Sequence, residues 1–262
     1  MAKTTTEKTE KTGKTESSAA VLDAVGVYYR ELNERIRSLI NKGSREITLE
    51  GVNGQRYIGC GLTDDARITI NGVPGNDLGA FMDGSTIIVN DNAQDGVGNT
   101  MNGGKIVVKG NAGDVLGYAM RGGKIFVKSD VGYRVGIHMK SFKEQVSVIV
   151  VGGRAGDFFG EYMAGGILVL IGLGEGEKPV AGDYLGTGMH GGAIFVRGSI
   201  EEDQLGREVR VSPISDEERE TLASLLKEFS LDTETDMSGV DVNDFVVLKP
   251  FSHRPYGNLY VY

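Results

Sequence analysis

The chain has 262 residues, including 40 glycines and 5 prolines, with a formal charge of −8 and 40% hydrophobic residues. Glycine at about 15% is roughly double the usual share of about 7%, but the few prolines exclude collagen, and glycines set among Ile, Val and Phe exclude a flexible linker. Residues 201–241 hold 13 acidic and 4 basic residues and the remainder nets +1, which argues against a nucleic-acid partner, since that chemistry needs a clustered basic surface.

No apolar run approaches the roughly 20 residues of a membrane span. The segment 1–18, MAKTTTEKTEKTGKTESS, has no apolar core of a secretory signal, so a cytoplasmic location and a disordered tail are expected. Residues 19–45 are read as an N-terminal amphipathic helix, Val21 to Asn41, with Val25, Tyr28, Leu32, Ile36 and Leu39 at three- and four-residue steps and Gly43 just beyond.

Residues 46–200 contain a repeat. Met82, Met101, Met120, Met139, Met163 and Met189 are spaced 19, 19, 19, 24 and 26 apart, and each has a glycine three residues before it: Gly79, Gly98, Gly117, Gly136, Gly160 and Gly186. Five and seven residues after most of them stands an aliphatic pair, such as Ile87 and Val89 or Ile125 and Val127. Spacing of two puts both side chains on one face of a strand. A unit of about 19 residues is too long for one strand and too short for a helical crossover. The pattern therefore predicts a mainly β fold, a right-handed parallel β-helix of about six to seven coils with methionines and aliphatic pairs inside and flanking α-helices at both ends. The fourth repeat departs, with Ser141 in place of glycine and Glu144 in place of the inward aliphatic. Extra residues before Met163 and Met189, the latter including 172–182, read as loop excursions. Residues 201–262 form an acidic extension with one helix, Ser215 to Phe229, opened by a Ser215/Glu218 capping box and burying Leu222, Leu225, Leu226 and Phe229. Both helices are expected to cover the open ends of the β-helix.

The sequence offers no catalytic, cofactor-binding or metal constellation. Gly186, Gly188 and Gly191 match G-x-G-x-x-G, but a strand follows where a dinucleotide loop needs a helix, so they read as a corner turn. His138 and His190 stand two coils apart, about 10 Å along the stack, and His253 has no neighbouring ligand, so no metal joins them. Cys60, the single cysteine, excludes an internal disulfide and a cysteine cluster and reads as a small buried residue. Asp95, Asp114, Asp157 and Asp183 recur three residues before the repeat glycine and read as turn caps. One column is unusual: six residues after the methionines, on the outward face, stand Ile88, Val107, Phe126, Gln145, Val169 and Phe195. Ile88, Val107, Phe126, Val169 and Phe195 form a candidate partner face, unless the N-terminal helix or the C-terminal segment covers them.

Gly113-Asp-Val-Leu-Gly-Tyr-Ala-Met-Arg-Gly-Gly-Lys-Ile125, Gly160-Glu-Tyr-Met-Ala-Gly-Gly166 and Gly188-Met-His-Gly-Gly192 resemble the GXGXG-motif β-helix family, over approximately residues 50–200. The chain looks like a stand-alone version of the C-terminal domain of the glutamate synthase large subunit. The resemblance implies a scaffold in a glutamate synthase complex, with glutaminase and FMN/iron–sulfur synthase subunits as partners, FMN and the iron–sulfur cluster on those partners, and no cofactor on this chain. A homo-oligomer is compatible with it. The repeat is also similar to the C subunit of formylmethanofuran dehydrogenase and to a subunit of N-methylglutamate synthase. The reading from a different class is an independent β-helix hydrolase, which would need convergent acids or a Ser/His pair in one groove.

Overall fold

The computed structural model describes residues 19–141, 145–174 and 179–251. The expected tail at 1–18, Glu144 and His253 lie outside them.

The chain is a right-handed parallel β-helix. Nine strands stack in sequence order along one side of the coil: β1 (Ala19–Asp23), β2 (Glu46–Asn53), β3 (Arg67–Val73), β4 (Thr86–Val89), β5 (Lys105–Val108), β6 (Lys124–Val127), β7 (Val148–Val151), β8 (Ala164–Leu170) and β9 (Gly191–Arg197). All eight junctions are parallel. The register is that of the repeat: Ile87, Ile106 and Ile125 lie side by side, as do Val89, Val108 and Val127. All six repeat methionines are fully buried, in one core with these aliphatic pairs. An earlier coil, around Gly59, carries Leu62 where its successors carry methionine, and Leu62 is buried in the same core. The repeat glycines make room for the coil beyond. Gly117 has φ +69°, and a Cβ there would overlap Ile149 Cδ1 of β7.

The fourth repeat corrects the reading by fixed offset. Its inward pair is Ile149 and Val151, which face Ile125 and Val127, while Val146 is exposed. The five extra residues lie between Met139 and β7, and the outward place falls to Val150 in place of Gln145. Register follows the alternating aliphatic pattern because a one-residue slip would turn the buried face to water. The insertion is therefore taken up before the strand.

The N-terminal helix is shorter than expected. Residues 19–23 form β1, paired with β2, and α1 spans Tyr29–Asn41. Val21, the expected first residue of the helix, and Val25 and Tyr28, read as part of its apolar face, are exposed, and the buried side chains are Leu32, Ile36 and Ile40. Tertiary pairing wins over the helical period because β1 completes a ladder with β2, whereas one more helical turn would bury nothing. Helix α1 stacks on the first turn of the coil: Asn33 Nδ2 donates to the Arg56 carbonyl at 3.0 Å, and Arg37 donates to the Cys60 carbonyl. It closes the N-terminal end.

The second helix, α2 (Asp216–Thr233), starts at the expected capping box, with Ser215 Oγ accepting from the Glu218 N–H. It does not cap an end. The C-terminal end is closed by residues 201–209, where Gln204 Nε2 donates to the Ala181 carbonyl at 3.0 Å and Gly206 N–H to the Leu185 carbonyl at 2.7 Å. Strands β10 (Val209–Ser212) and β11 (Phe245–Pro250) then add antiparallel to β9, in the order β9-β11-β10. Helix α2 lies across the outer face of the sheet instead.

Candidate functional site

That placement decides the fate of the outward stripe. Phe126, Val150, Val169 and Phe195 pack with Leu222, Leu225, Leu226 and Phe229 of α2 and with Phe245 and Val247 of β11 in a second buried core. The Phe229 ring meets Phe126 edge-on at 6.0 Å between centroids. Val107 is buried as well, and Ile88 alone of the five is partly open, at the rim of a groove beside the end of α2. The stripe expected as a partner face is therefore sealed within the chain. The sequence did not show this because the covering helix begins 90 residues downstream of Phe126.

Ion pairs fasten the helix along the edge of this core. Lys105 Nζ lies 2.7 Å from both Glu228 and Asp232, Lys124 reaches Glu228 at 2.6 Å, and Lys109 reaches Glu234 at 2.8 Å. Burial pushes the Glu228 carboxyl up, but the hydrogen bonds and charges of Lys105 and Lys124 outweigh it and hold the group below the ordinary carboxylate range. Burial pulls Lys105 down, and the hydrogen bonds it donates to Asp232 and Glu228 outweigh it, leaving the ammonium raised. A depressed carboxylate stabilises the fold above its unfolded value of about 4.3 and loses that contribution as pH falls through its folded value. A raised lysine stabilises below about 10.4 and loses its contribution as pH climbs. The hold on α2 is thus greatest between about pH 5 and pH 10. Hydrogen exchange of α2 amides at pH 3.5 is expected to rise, relative to the intrinsic rate, more than that of β5 and β6. Equal changes in helix and strands would contradict it.

Most of the exposed aromatic side chains lie on a corner where the chain turns before the methionines, among them Phe81, Tyr118, Tyr133 and Tyr184. Residues five before and one before the methionine have left-handed backbone even when they are not glycine: Val115, Arg134 and Phe158 in one column, Ala119, His138 and Tyr162 in the other, with φ between +50° and +63°. The cause is the stacking ladder. These residues send their N–H along the coil axis to the next coil, as in Arg134 to the Asp157 carbonyl at 2.9 Å and His138 to the Glu161 carbonyl at 3.0 Å. The repeat glycine between them points its N–H the other way, as in Gly136 to the Leu116 carbonyl at 2.8 Å. Left-handed backbone at a non-glycine residue is strained by about 1–2 kcal/mol. That strain is accepted here at large side chains that do not enter the core.

Those side chains stack across coils in two groups. The ring of His138 stacks on Tyr162 at 5.3 Å and 11°, and Tyr118 meets His138 edge-on at 5.9 Å. Phe158 stacks on Tyr184 at 4.9 Å and 13°, and the Arg134 guanidinium lies 5.2 Å from the Phe158 ring centre. Tyr133 and Tyr184 are more than half exposed. The aspartates noted in the sequence border this surface and cap its turns across coils: Asp95 Oδ1 accepts from the Asp114 N–H, Asp114 Oδ1 from the Tyr133 N–H, and Asp157 Oδ1 from the Asp183 N–H, at 2.9 to 3.0 Å. Within it Glu161 is buried. Its Oε2 accepts no hydrogen bond from the described residues, and its contact is an ion pair with the Arg134 Nε at 3.4 Å. A buried acceptor left so costs about 1–3 kcal/mol, and more when charged. Sequence reading passed over this corner because it followed the inward and outward strand columns. The signal was present in Phe81, His138 and Tyr162, bulky residues immediately before a methionine where other coils carry Thr, Ala or Gly.

Among the described residues no group of three or more His, Cys, Asp or Glu is placed to hold a metal ion, and no helix is long and apolar enough to cross a membrane. Cys60 is half-buried, with its thiol pushed up by burial. Gly186 and Gly188 have φ +64° and +70°, and Gly191 opens β9, so the G-x-G-x-x-G phrase turns a corner and enters a strand.

The family model described as GXGXG motif matches residues 30–249. The chain belongs to the GXGXG-motif family. It is similar to an uncharacterized protein of Methanocaldococcus jannaschii, with 46% identity over 249 residues, covering 92% of this chain and 95% of that one. Among solved structures, it resembles a chain of the formyltransferase/hydrolase complex from Methylorubrum extorquens determined with methylofuran, with TM-score 0.59, 22% identity, and coverage of 83% of this chain and 90% of that chain. The likeness to that chain is one of fold. The two matches span nearly the full length of their counterparts.

Proposed function

We propose that this GXGXG chain is a non-catalytic scaffold subunit of a multi-subunit glutamate synthase. In this reading it holds a glutaminase subunit against an FMN/iron–sulfur subunit that converts 2-oxoglutarate to glutamate, and those subunits carry the cofactors. The observation that carries the assembly role is the aromatic corner: exposed aromatic rings bordered by charges, on a stack of coils whose other apolar face is already sealed, have the make-up of a protein-binding surface. The Gly160–Gly166 phrase favours the glutamate synthase group. A second reading, a subunit of a formylmethanofuran dehydrogenase-type complex, draws support from the structural resemblance to a chain of a formyltransferase/hydrolase complex.

Isolation of the tagged, full-length chain from its source cells is the direct test. Co-elution of a glutaminase and a flavin subunit, with glutamine- and 2-oxoglutarate-dependent oxidation of an electron donor, is the expected result. Co-elution of a molybdopterin or tungstopterin enzyme would establish the second reading, and a lone monomer with hydrolase activity would overturn both.

A further inference from the structure

The buried carboxylate at the corner is out of keeping with its own repeat. Two residues before the methionine of another coil stands Asn99, whose amide donates to Asp77 Oδ1 of the preceding coil at 2.9 Å. Glu161 and Arg134 occupy the same pair of places, yet their contact is a 3.4 Å approach of Nε that makes no hydrogen bond. That coil fills the position with a hydrogen bond, whereas here it holds only an ion pair. Arg134 is half exposed and divided between the Phe158 ring and the carboxylate. Around it Tyr184 is exposed, Tyr162 is partly so, and Asp157 and Asp183 extend the negative charge along the corner. Buried acceptor, flat exposed rings and flanking carboxylates are together the environment that a guanidinium fits: it is planar, stacks on aromatic faces and donates in a fork to a carboxylate. Lysine offers a compact, strongly hydrated charge that cannot stack in this way.

We propose that this corner receives an arginine side chain of a partner subunit, which displaces Arg134, lies against Phe158, Tyr162 and Tyr184, and donates to Glu161. The inference rests on the scaffold reading above. It makes the partner segment basic and places the contact on the turns, away from the sheet.

The test uses the intact chain and the complex isolated with it. Photo-crosslinking from benzoylphenylalanine in place of Tyr184 is expected to trap a partner peptide that contains arginine. Glu161→Gln keeps the shape and removes the charge. It is expected to raise the dissociation constant for rebinding to the chain-depleted complex about tenfold, and to leave the thermal midpoint of the free chain equal to or above that of the wild type. Tyr184→Ala, at an exposed position, is expected to weaken rebinding several-fold with the fold intact. Rebinding within twofold of the wild type for both variants, or a trapped peptide without arginine, would overturn the arginine site and leave the scaffold role standing. A wild-type chain that elutes alone would overturn both.

Discussion

Gly104→Ala is expected to destabilise the fold by about 2–5 kcal/mol. Gly104 has φ +88°, and a Cβ added there overlaps the Ser85 carbonyl oxygen of the coil below and comes within 3.1 Å of the Ser85 nitrogen. The overlap is with backbone, and the backbone is held in place: Lys105 N–H donates to that same Ser85 oxygen, and Lys124 N–H to the Gly104 oxygen, each at 3.0 Å. Left-handed strain contributes about 1–2 kcal/mol, and forcing atoms into a packed interior about 1–3 kcal/mol more. Gly26→Ala isolates the first contribution, because Gly26 has φ +67° with nothing within 4 Å of an added Cβ. Urea unfolding of both variants should place the Gly104 midpoint well below that of Gly26. Equal midpoints would mean that the coils have room to spread, contrary to a stack fixed by its interlocking backbones.

Phe229→Ala is expected to lose about 3–5 kcal/mol from the seal on the outer sheet face. The ring is fully buried, meets Phe126 edge-on, and lies in the core formed by α2 with β6 to β9. Leu231, two residues along the same helix, is 71% exposed, and Leu231→Ala should change stability by no more than about 0.5 kcal/mol. Because α2 is attached by one face and a row of ion pairs, the loss should appear first as faster hydrogen exchange along α2 and as dye binding to the uncovered stripe, before the coils melt. If Phe229→Ala behaves like Leu231→Ala, α2 does not seal the sheet.

These two variants mark the two levels at which the chain is organised. The interior of the coils is legible in sequence because it is periodic: Met82 to Met189, Gly79 to Gly186 and the aliphatic pairs lie at fixed offsets, and stacked coils force equivalent residues into contact. The capping box at Ser215 and Glu218 is equally legible, being a contact between residues three apart. Where the period is interrupted, counting failed. Ile149 and Val151 lie ten and twelve residues after Met139, and only pairing with Ile125 and Val127 reveals them as the inward pair.

By itself, the sequence determined that the chain is a β-helix of the GXGXG type, with methionines inside and glycines at its corners. Tertiary structure alone decided what the coil presents to its surroundings. Val107, Phe126, Val169 and Phe195 passed from candidate partner face to core because α2 folds back over them, and Val21 passed from a helix to an edge strand because β2 was there to pair with it. The stacked rings of His138, Tyr162, Phe158 and Tyr184, with Glu161 beneath, emerged as the displayed surface instead. The physical reason is distance along the chain: a repeat fixes contacts between neighbouring coils, whereas α2 meets the sheet across about a hundred residues, through burial and charge that no local pattern records.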